Sequence, residues 1–281
     1  MEITTKKLSV LFCLFFTINQ TLSESDHMDT FCIKTSRNTT HNTTYNTNLN
    51  TMLSTFRNQS SIVNYYNLTT GSLASDTVYG MFLCTGDVNI TTCHNCVKNA
   101  TIEIAKNCTN HREAIIYYID CMVRYSDKFF LTTTLETQPN SIWSSDDIIP
   151  KSLGPFKKRL YKKMGEVIVR SSMLSSALTP YYYMDETRFD GSYDLGSLVQ
   201  CSPHLNPEKC TICLEYALQE ITDCCSDKFS AIIFTPNCFL NYYVTTPPLP
   251  PLPSTSFSIR GNNEILWGMT LAASVFALKG L

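Results

Sequence analysis

The sequence predicts a tandem repeat of two disulfide-rich modules, each containing helices and strands. The chain has 281 residues and 13 cysteines, and ten of these cysteines form two sets of five with the same spacing. The two sets are separated by 117 residues without an insertion or deletion, and helix and strand patterns recur at the same offset. The sets are Cys84, Cys93, Cys96, Cys108 and Cys121 in the first copy, and Cys201, Cys210, Cys213, Cys225 and Cys238 in the second.

Residues 1–23 are predicted to be a secretory signal peptide. Two lysines precede the apolar run Leu8–Ile18, and Thr21 and Ser23 are small or polar residues suited to signal cleavage. Cleavage removes Cys13 and leaves an even number of cysteines. We therefore expect a secreted protein that folds in an oxidising compartment, where disulfides persist.

The charge of the chain argues against a nucleic-acid partner. The formal net charge is -2 and charged residues make up 16% of the chain, so the sequence provides no overall basic field to neutralise phosphates. The length suits two domains of about 100 residues, a size at which each could fold alone.

The first module is predicted to span residues 24–130, with one helix near its start and a second at the last cysteine of the core motif. Each predicted helix has apolar residues at the spacing of one helix face. These residues are Leu49, Met52, Leu53 and Phe56 in the first helix, and Val97, Ala100 and Ile104 in the second, which recur as Leu214, Ala217 and Ile221. β-branched and aromatic runs at residues 114–125 and 231–242 predict strands on both sides of a cysteine.

Acceptor motifs for N-glycosylation occur in the first module and not in the second. They lie at Asn38, Asn42, Asn58, Asn67, Asn89, Asn99 and Asn107. We expect several to carry glycan, which would shield the first module and leave the second free to contact partners. Chance motifs in a chain rich in Asn and Thr are the alternative, and Asn107 is a poor acceptor because Cys108 follows it.

Residues 131–150 are predicted to be a linker with one aromatic anchor at Trp143. The second module, residues 151–245, begins with an amphipathic helix. Its apolar side carries Phe156, Leu160, Met164 and Val167, and its other side carries Lys157, Lys158, Arg159, Lys162 and Lys163. Two interpretations of the basic side stay open: a surface for acidic wall polysaccharide or membrane lipid, or the solvated face of a core helix.

The C-terminal part is predicted to consist of a Pro-rich stalk at residues 246–263 and a hydrophobic tail at residues 264–281. The apolar part of the tail, Ile265–Leu278, is short for a membrane span. Three interpretations stay open: a lipid-anchor signal, an unprocessed secreted tail, and a short or tilted span.

Metal and catalytic roles for the cysteines fit the spacing poorly. A zinc ribbon places its Cys-x2-Cys pairs about 15–20 residues apart, whereas Cys93/Cys96 and Cys210/Cys213 are 117 residues apart. His94 favours a redox motif in the first copy, yet no histidine stands there in the second. The Gly-x-Ser-x-Gly motif of hydrolases is also missing. We predict structural disulfides, no metal, no cofactor and no catalytic residue, and hence a protein that is not an enzyme.

The doubled Cys-x8-Cys-x2-Cys motif resembles the tandem ginkbilobin-homologous domains of plant cysteine-rich repeat secretory proteins. Tyr79–Cys84 before the first motif and Tyr117–Tyr125 after it are part of the resemblance, which covers Cys32–Tyr243. The same pair of domains forms the ectodomains of cysteine-rich receptor-like kinases and plasmodesmata-located proteins. The resemblance implies an α+β fold of two tandem disulfide-rich modules, each with two helices packed on a small antiparallel sheet.

The resemblance also implies disulfides that join the first cysteine of a module to the fifth, the second to the third, and the fourth to the sixth. The implied pairs are Cys32–Cys108, Cys84–Cys93, Cys96–Cys121, Cys201–Cys210 and Cys213–Cys238. By the repeat offset, the position that matches Cys32 is Ile149, so the second module lacks a first cysteine. We predict that the extra Cys224 pairs with Cys225, or that one of the two has another partner.

A founding member of this family is a mannose-binding antifungal seed protein, and the resemblance places its sugar-binding positions in this chain. They fall on Ile33, Ile115 and Ser126 in the first copy, and on Ile232 and Tyr243 in the second. Isoleucine cannot hydrogen-bond a sugar hydroxyl, so we do not expect mannose binding at these positions.

The sequence therefore predicts a secreted, non-enzymatic interaction protein of the plant apoplast or cell surface, with a role in stress or defence signalling. Its partner is expected to be an extracellular protein or a cell-wall ligand, and a lipid anchor would hold it at the outer face of the plasma membrane. One alternative is an antifungal or carbohydrate-binding protein with a site other than the mannose positions. Another is an extracellular thiol oxidoreductase.

Overall fold

The structure is a computed structural model that describes residues 25–34, 43–132, 134–138, 140–146, 155–174, 180–188 and 193–245. The predicted signal peptide, stalk and hydrophobic tail lie outside these residues, as do Asn38, Asn42 and Ile149. The described residues form four helices and two five-stranded antiparallel sheets in two tandem modules, which confirms the predicted fold class.

The two modules have the same order of elements and the same sheet topology. The first contains β1 (His27–Ile33), α1 (Thr43–Gln59), β2 (Tyr65–Thr70), β3 (Val78–Cys84), α2 (Ile90–Asn107), β4 (Glu113–Tyr118) and β5 (Cys121–Ser126). The second contains β6 (Ser141–Ser144), α3 (Phe156–Ser172), β7 (Tyr183–Arg188), β8 (Asp194–Cys201), α4 (Pro207–Cys224), β9 (Ser230–Phe234) and β10 (Cys238–Thr245). The strand orders are β1-β4-β5-β3-β2 and β6-β9-β10-β8-β7.

Helices α2 and α4 begin before the positions expected from the sequence. The prediction placed their start at Cys96 and its counterpart, whereas α2 already begins at Ile90. An asparagine caps each helix: the Asn89 side chain accepts a hydrogen bond from the Thr92 amide, and Asn206 does the same for Lys209. The apolar periodicity starts about two turns later than these caps, so it does not reveal the first turns of either helix.

The predicted linker contributes a strand to the second sheet. Residues Ser141–Ser144 form β6, which pairs with β9 over four residues. Trp143 lies in this strand and is 52% exposed, so it is not the anchor that the sequence suggested. Residues 141–144 do not alternate polar and apolar side chains, so the sequence does not predict a strand there. They form β6 because their backbone pairs with β9.

Each sheet packs a helix pair on one face and the other module on its second face. Alternate residues of a strand point to opposite faces, so Phe82 of β3 lies in the core of the first module while Met81 and Leu83 lie between the modules. We call this inter-module cluster the shared core. Its buried members are Met81, Leu83, Ile115, Tyr117, Met122, Phe130, Leu198, Ile232, Phe234 and Phe239.

Candidate functional site

The disulfide framework is the same in both modules at two of three positions. The bridges in the structure are Cys32–Cys108, Cys84–Cys93, Cys96–Cys121, Cys201–Cys210, Cys213–Cys238 and Cys224–Cys225. The second-to-third bridge has a Cα separation of 5.6 Å in both modules. The fourth-to-sixth bridge has separations of 6.1 and 6.2 Å. These bridges tie α2 and α4 to the strands beneath them.

The Cys-x2-Cys pairs do not form the site of a thiol oxidoreductase. Such a site needs the two cysteines of the motif to form a disulfide with each other, whereas Cys93 is bonded to Cys84 and Cys96 to Cys121. His94 instead lies 3.2 Å from the hydroxyl oxygen of Ser60. In the part of the chain that the structure describes, no three His, Cys, Asp or Glu side chains come together as a metal site.

The missing first cysteine of the second module is replaced by Ser144, which corrects the assignment to Ile149. In the first sheet Cys32 lies opposite Ala114 of β4, and in the second sheet Ser144 lies opposite the equivalent Ala231 of β9. The simple offset fails mainly because the segment between the first helix and the next strand is longer in the second module: residues 173–182 separate α3 from β7, whereas residues 60–64 separate α1 from β2. Without a partner on β6, the cysteine at the end of α4 bonds to its sequence neighbour instead, as Cys224–Cys225.

Three of the five mannose positions of the family are covered by protein. Ile115 is 1% exposed and Ile232 is 4% exposed, because both belong to the shared core. Ser126 is also buried, and the ring of Tyr243 lies against Gly196. A sugar would therefore have no access to Ile115, Ser126 or Ile232. Ile33 is partly exposed, but its side chain has no polar group to offer.

A basic pocket of about 180 Å³ lies between α3 and the strands β7 and β8. It is lined by Arg159, Lys162, Lys163, Glu166, Thr187, Arg188 and Leu195. Three of its cations, at positions 159, 162 and 163, project from one face of α3 because residues three or four apart share a helix face. The fourth cation, Arg188, comes from β7. Arg159, Lys162 and Lys163 of the basic side of α3 thus form one wall of a concave site. Lys157 and Lys158 do not line it; both are exposed, and Lys157 donates to the Thr222 carbonyl on α4.

Ion pairs hold two cations of the basic pocket in place. Lys163 forms a salt bridge with Asp185, and Arg188 Nε lies 2.9 Å from Asp194 Oδ1. The hydrogen bond from Lys163 holds the pKa of Asp185 below its ordinary value although burial opposes this. Lys162 lies exposed at the mouth of the pocket. The pocket combines two cations held in ion pairs, Lys163 and Arg188, with the exposed Arg159 and Lys162, a pattern suited to anionic groups.

A second concave site, the boundary cleft, encloses about 460 Å³ where the two modules meet. It is lined by Ile62, Val63, Asn64, Tyr65, Leu83, Cys84, Pro180, Gln200 and Pro203. At its floor the buried Gln200 side chain accepts a hydrogen bond from the Gly86 amide at 2.9 Å and donates one to the Cys84 carbonyl at 3.2 Å. One side chain of the second module therefore satisfies two main-chain groups of the first.

The place that the repeat offset makes equivalent to the boundary cleft is filled by an aromatic ring. Tyr65 lines the cleft near Pro203, and by sheet register its counterpart in the second module is Tyr182. The ring of Tyr182 lies directly on Gly86, where a Cβ atom would come within 2.3 Å of it. Glycine permits this contact because it has no side chain. Proline at the matching position leaves the space open beside Tyr65.

A buried polar cluster forms a second link between the modules. Arg124 donates to Glu136 at 2.6 Å and to Glu113 at 3.3 Å, and the Glu136 amide donates to the Asn237 side chain at 2.7 Å. Asn237 in turn lies 3.3 Å from His204 Nε2. Burial, together with the positive charge of Arg124, lowers the pKa of His204 to about 4. The sequence signalled this cluster only through the charged Arg124 inside an otherwise apolar strand.

The predicted glycan acceptors on described residues lie at the surface of the first module. Asn58, Asn67, Asn89 and Asn107 are exposed, and Asn99 is partly buried. Asn67 lies on the strand β2, whereas the others lie on helices or cap them.

Comparison with known proteins agrees with this architecture. A family model described as salt stress response/antifungal matches residues 31–128 and 150–245. The chain is 82% identical over 285 residues to cysteine-rich repeat secretory protein 59 of Arabidopsis thaliana, an alignment that covers 97% of this chain and 99% of the relative. The chain belongs to the cysteine-rich repeat secretory protein family.

A further secretory relative, cysteine-rich repeat secretory protein 57 of Arabidopsis thaliana, is 69% identical over 286 residues, with 99% of each chain covered. The fold is similar to the crystal structure of the tandem DUF26 ectodomain of the Arabidopsis thaliana cysteine-rich receptor-like protein PDLP8. The TM-score is 0.61 at 21% identity, with 77% of this chain and 97% of that chain covered. For the corresponding ectodomain of PDLP5 the TM-score is 0.58 at 24% identity, with 78% and 99% covered.

These relatives indicate a secreted, extracellular member of the family. No helix in the described ranges combines the length and apolarity that crossing a membrane requires.

Proposed function

We propose that this cysteine-rich repeat secretory protein is a non-enzymatic recognition protein of the plant apoplast or cell surface. Its proposed ligand is an acidic cell-wall polysaccharide, bound at the basic pocket. The observation that carries the proposal is the convergence of cations from α3 and β7 on one concave site. A polyuronate presents carboxylates at regular intervals, and guanidinium and ammonium groups bind carboxylates by charge-assisted hydrogen bonds.

The position of the basic pocket supports this proposal. It lies in the second module, which has no glycosylation motif, so the predicted glycans of the first module do not cover it. A ligand at this site contacts mainly exposed cations, which favours fast, salt-dependent association over tight binding. A role in stress or defence signalling would follow if the protein reports the state of the wall polymer, and the description of the matching family supports that role.

Charge reversal at the mouth of the pocket tests the proposal. The double variant R159E/K162E changes two exposed side chains, and K98E/K106E makes the same charge change on the exposed face of α2 as a matched control. We expect R159E/K162E to weaken binding to polygalacturonate by roughly tenfold or more, and K98E/K106E to leave it within about twofold. Binding should also weaken as salt is raised. Equal binding by both variants, or binding to a neutral glucan instead, would overturn the assignment.

The same proposal includes a lipid anchor made from the hydrophobic tail, residues 264–281, which would hold the protein at the outer face of the plasma membrane. Its support is the sequence pattern of small residues, spacer and apolar tail. Treatment of intact cells with a phospholipase that cuts such anchors should release the protein into the medium. Protein that stays on the cells after treatment, or is already in the medium before it, contradicts the anchor.

A further inference from the structure

Strand β2 forms one edge of the first sheet and is built from uncharged residues. Its sequence is Tyr-Tyr-Asn-Leu-Thr-Thr, and it is the last strand in the order of that sheet. An edge strand of high β-propensity can pair with another chain unless charge, proline or a cover prevents it. The equivalent edge strand β7 of the second module carries Asp185, Glu186 and Arg188. The two edges are therefore built differently, and β2 lacks the charges that protect β7.

Asn67 lies on the face of this edge strand that is turned toward the second module, opposite Met81 of the shared core. It is exposed and has Tyr65 and Thr69 on the same side of the strand, because residues two apart share a face. Its Nδ2 donates a hydrogen bond to the Tyr65 hydroxyl at 3.1 Å. Leu68, on the opposite face, packs against the core of the first module. The motif Asn67-Leu68-Thr69 is thus held in extended form with its acceptor amide beside an aromatic ring.

The other described acceptors have different surroundings. The Asn89 side chain caps α2, and Asn107 donates to Glu103 at 3.2 Å. Asn58 lies in the last turn of α1, and Asn99 is partly buried in α2. On a helix, residues two apart point away from each other, so Asn58, Asn99 and Asn107 do not have the residue two positions before them on their own side.

We propose that Asn67 carries an N-glycan whose first sugar packs on Tyr65, so that the glycan covers the edge of the first sheet and the mouth of the boundary cleft. The modification replaces one hydrogen of Asn67 Nδ2 with the anomeric carbon of an N-acetylglucosamine, transferred from a lipid diphosphate-linked oligosaccharide. The lipid diphosphate leaves, and the displaced proton is lost to solvent. One N–H remains on Nδ2 and can still donate to the Tyr65 hydroxyl.

Packing on Tyr65 has a simple physical cause. One face of a pyranose ring consists of C–H groups, and burying it against an aromatic ring removes apolar surface of both from water. Tyr65 is half-buried and packs against the shared core, so its ring is already ordered before the sugar arrives. The same ring lines the boundary cleft, which places the sugar beside that opening.

The experiment compares the secreted protein with variants that remove the glycan or the ring. Glycopeptide analysis should find Asn67 occupied in the wild type and in T69S, and empty in T69A. We expect T69A to lower the unfolding midpoint by about 2–4 °C, the effect of losing one aromatic contact in a chain of this size, and to aggregate earlier on heating. Trimming the glycan to its first sugar should preserve the midpoint, since that sugar makes the contact.

A double-mutant cycle shows whether the glycan acts through Tyr65. In the Y65A background, T69A should lower the midpoint no further. N58Q is the matched control, because it removes an acceptor at an exposed helix end and should leave the midpoint unchanged. An unmodified Asn67 in the secreted protein overturns the proposal. An equal effect of T69A with and without the Tyr65 ring also overturns it.

Discussion

Gln200 joins the two modules, and replacing it with leucine tests how strongly they are coupled. Its side chain is 2% exposed, accepts from the Gly86 amide at 2.9 Å and donates to the Cys84 carbonyl at 3.2 Å. Leucine has a similar size but no polar atoms, so Q200L leaves both main-chain groups without these partners. Each buried group left unsatisfied costs about 1–3 kcal/mol, which predicts a loss of about 2–6 kcal/mol in the free energy of unfolding.

This loss is large compared with the about 5–15 kcal/mol that stabilises a typical protein. Thermal and urea unfolding of the disulfide-intact protein would measure it. Q219L is the matched control, because Gln219 is partly exposed and bonds to Asp223 on the surface of α4. We expect Q219L to change the stability by no more than about 0.5 kcal/mol. If Q200L and Q219L unfold at the same midpoint, the Gln200 bridge does not couple the modules.

Three further predictions concern the second module and its contact with the first. S144C combined with C224S should form a bridge to Cys225 equivalent to the first bridge of the other module, detectable by peptide mapping. Burial lowers the pKa of His204 to about 4, so between pH 6.5 and 4 the unfolded state binds a proton that the folded state does not. The free energy of unfolding should therefore fall by about 3 kcal/mol as the pH drops from about 6.5 to 4, and H204Q should flatten this pH dependence. G86A places a methyl group 2.3 Å from an aromatic ring of the second module and should cost about 1–3 kcal/mol in urea unfolding, whereas an unchanged midpoint contradicts the tight contact.

The repeated cysteines and apolar helix faces predicted two tandem modules with helices and strands, and the family resemblance implied the α+β arrangement of each. Val97, Ala100 and Ile104 are all buried in α2, because helix periodicity reports which side of a helix faces its core. The bridges Cys84–Cys93 and Cys96–Cys121 followed from the family resemblance, and the structure contains them. The helix faces depend on local spacing, which a single sequence displays directly, whereas the pairing of the cysteines required the resemblance.

The parts that the sequence did not predict depend on contacts between distant segments. Ile115 and Ile116 are neighbours in β4, yet one lies in the shared core and the other in the core of the first module. An unbroken apolar run indicates that both faces of a strand are buried, but it does not identify what covers the second face. Strand β6 and the role of Ser144 were missed for a similar reason, since only pairing with β9 defines them.

The candidate sites show the same division. The row of basic residues on α3 was visible in the sequence. Whether it forms a binding surface or a solvated helix face depends on whether another element faces it and makes the site concave. Thr187 and Arg188 on β7 provide that wall, and nothing in the spacing of the chain places them there. Gln200 gave no signal at all, because its importance lies in two main-chain groups of the other module.

Because of the shared core, the two modules can be inherited or exchanged between proteins only as one unit. A first module cut away from its neighbour would expose Met81, Ile115 and Tyr117 as part of an open apolar face, and a second module would expose Phe234 and others. Such faces bind non-specifically and aggregate. The smallest unit of this protein that keeps these apolar faces covered is therefore the pair of modules. Recombination between relatives should preserve both modules together and place its crossover points outside them.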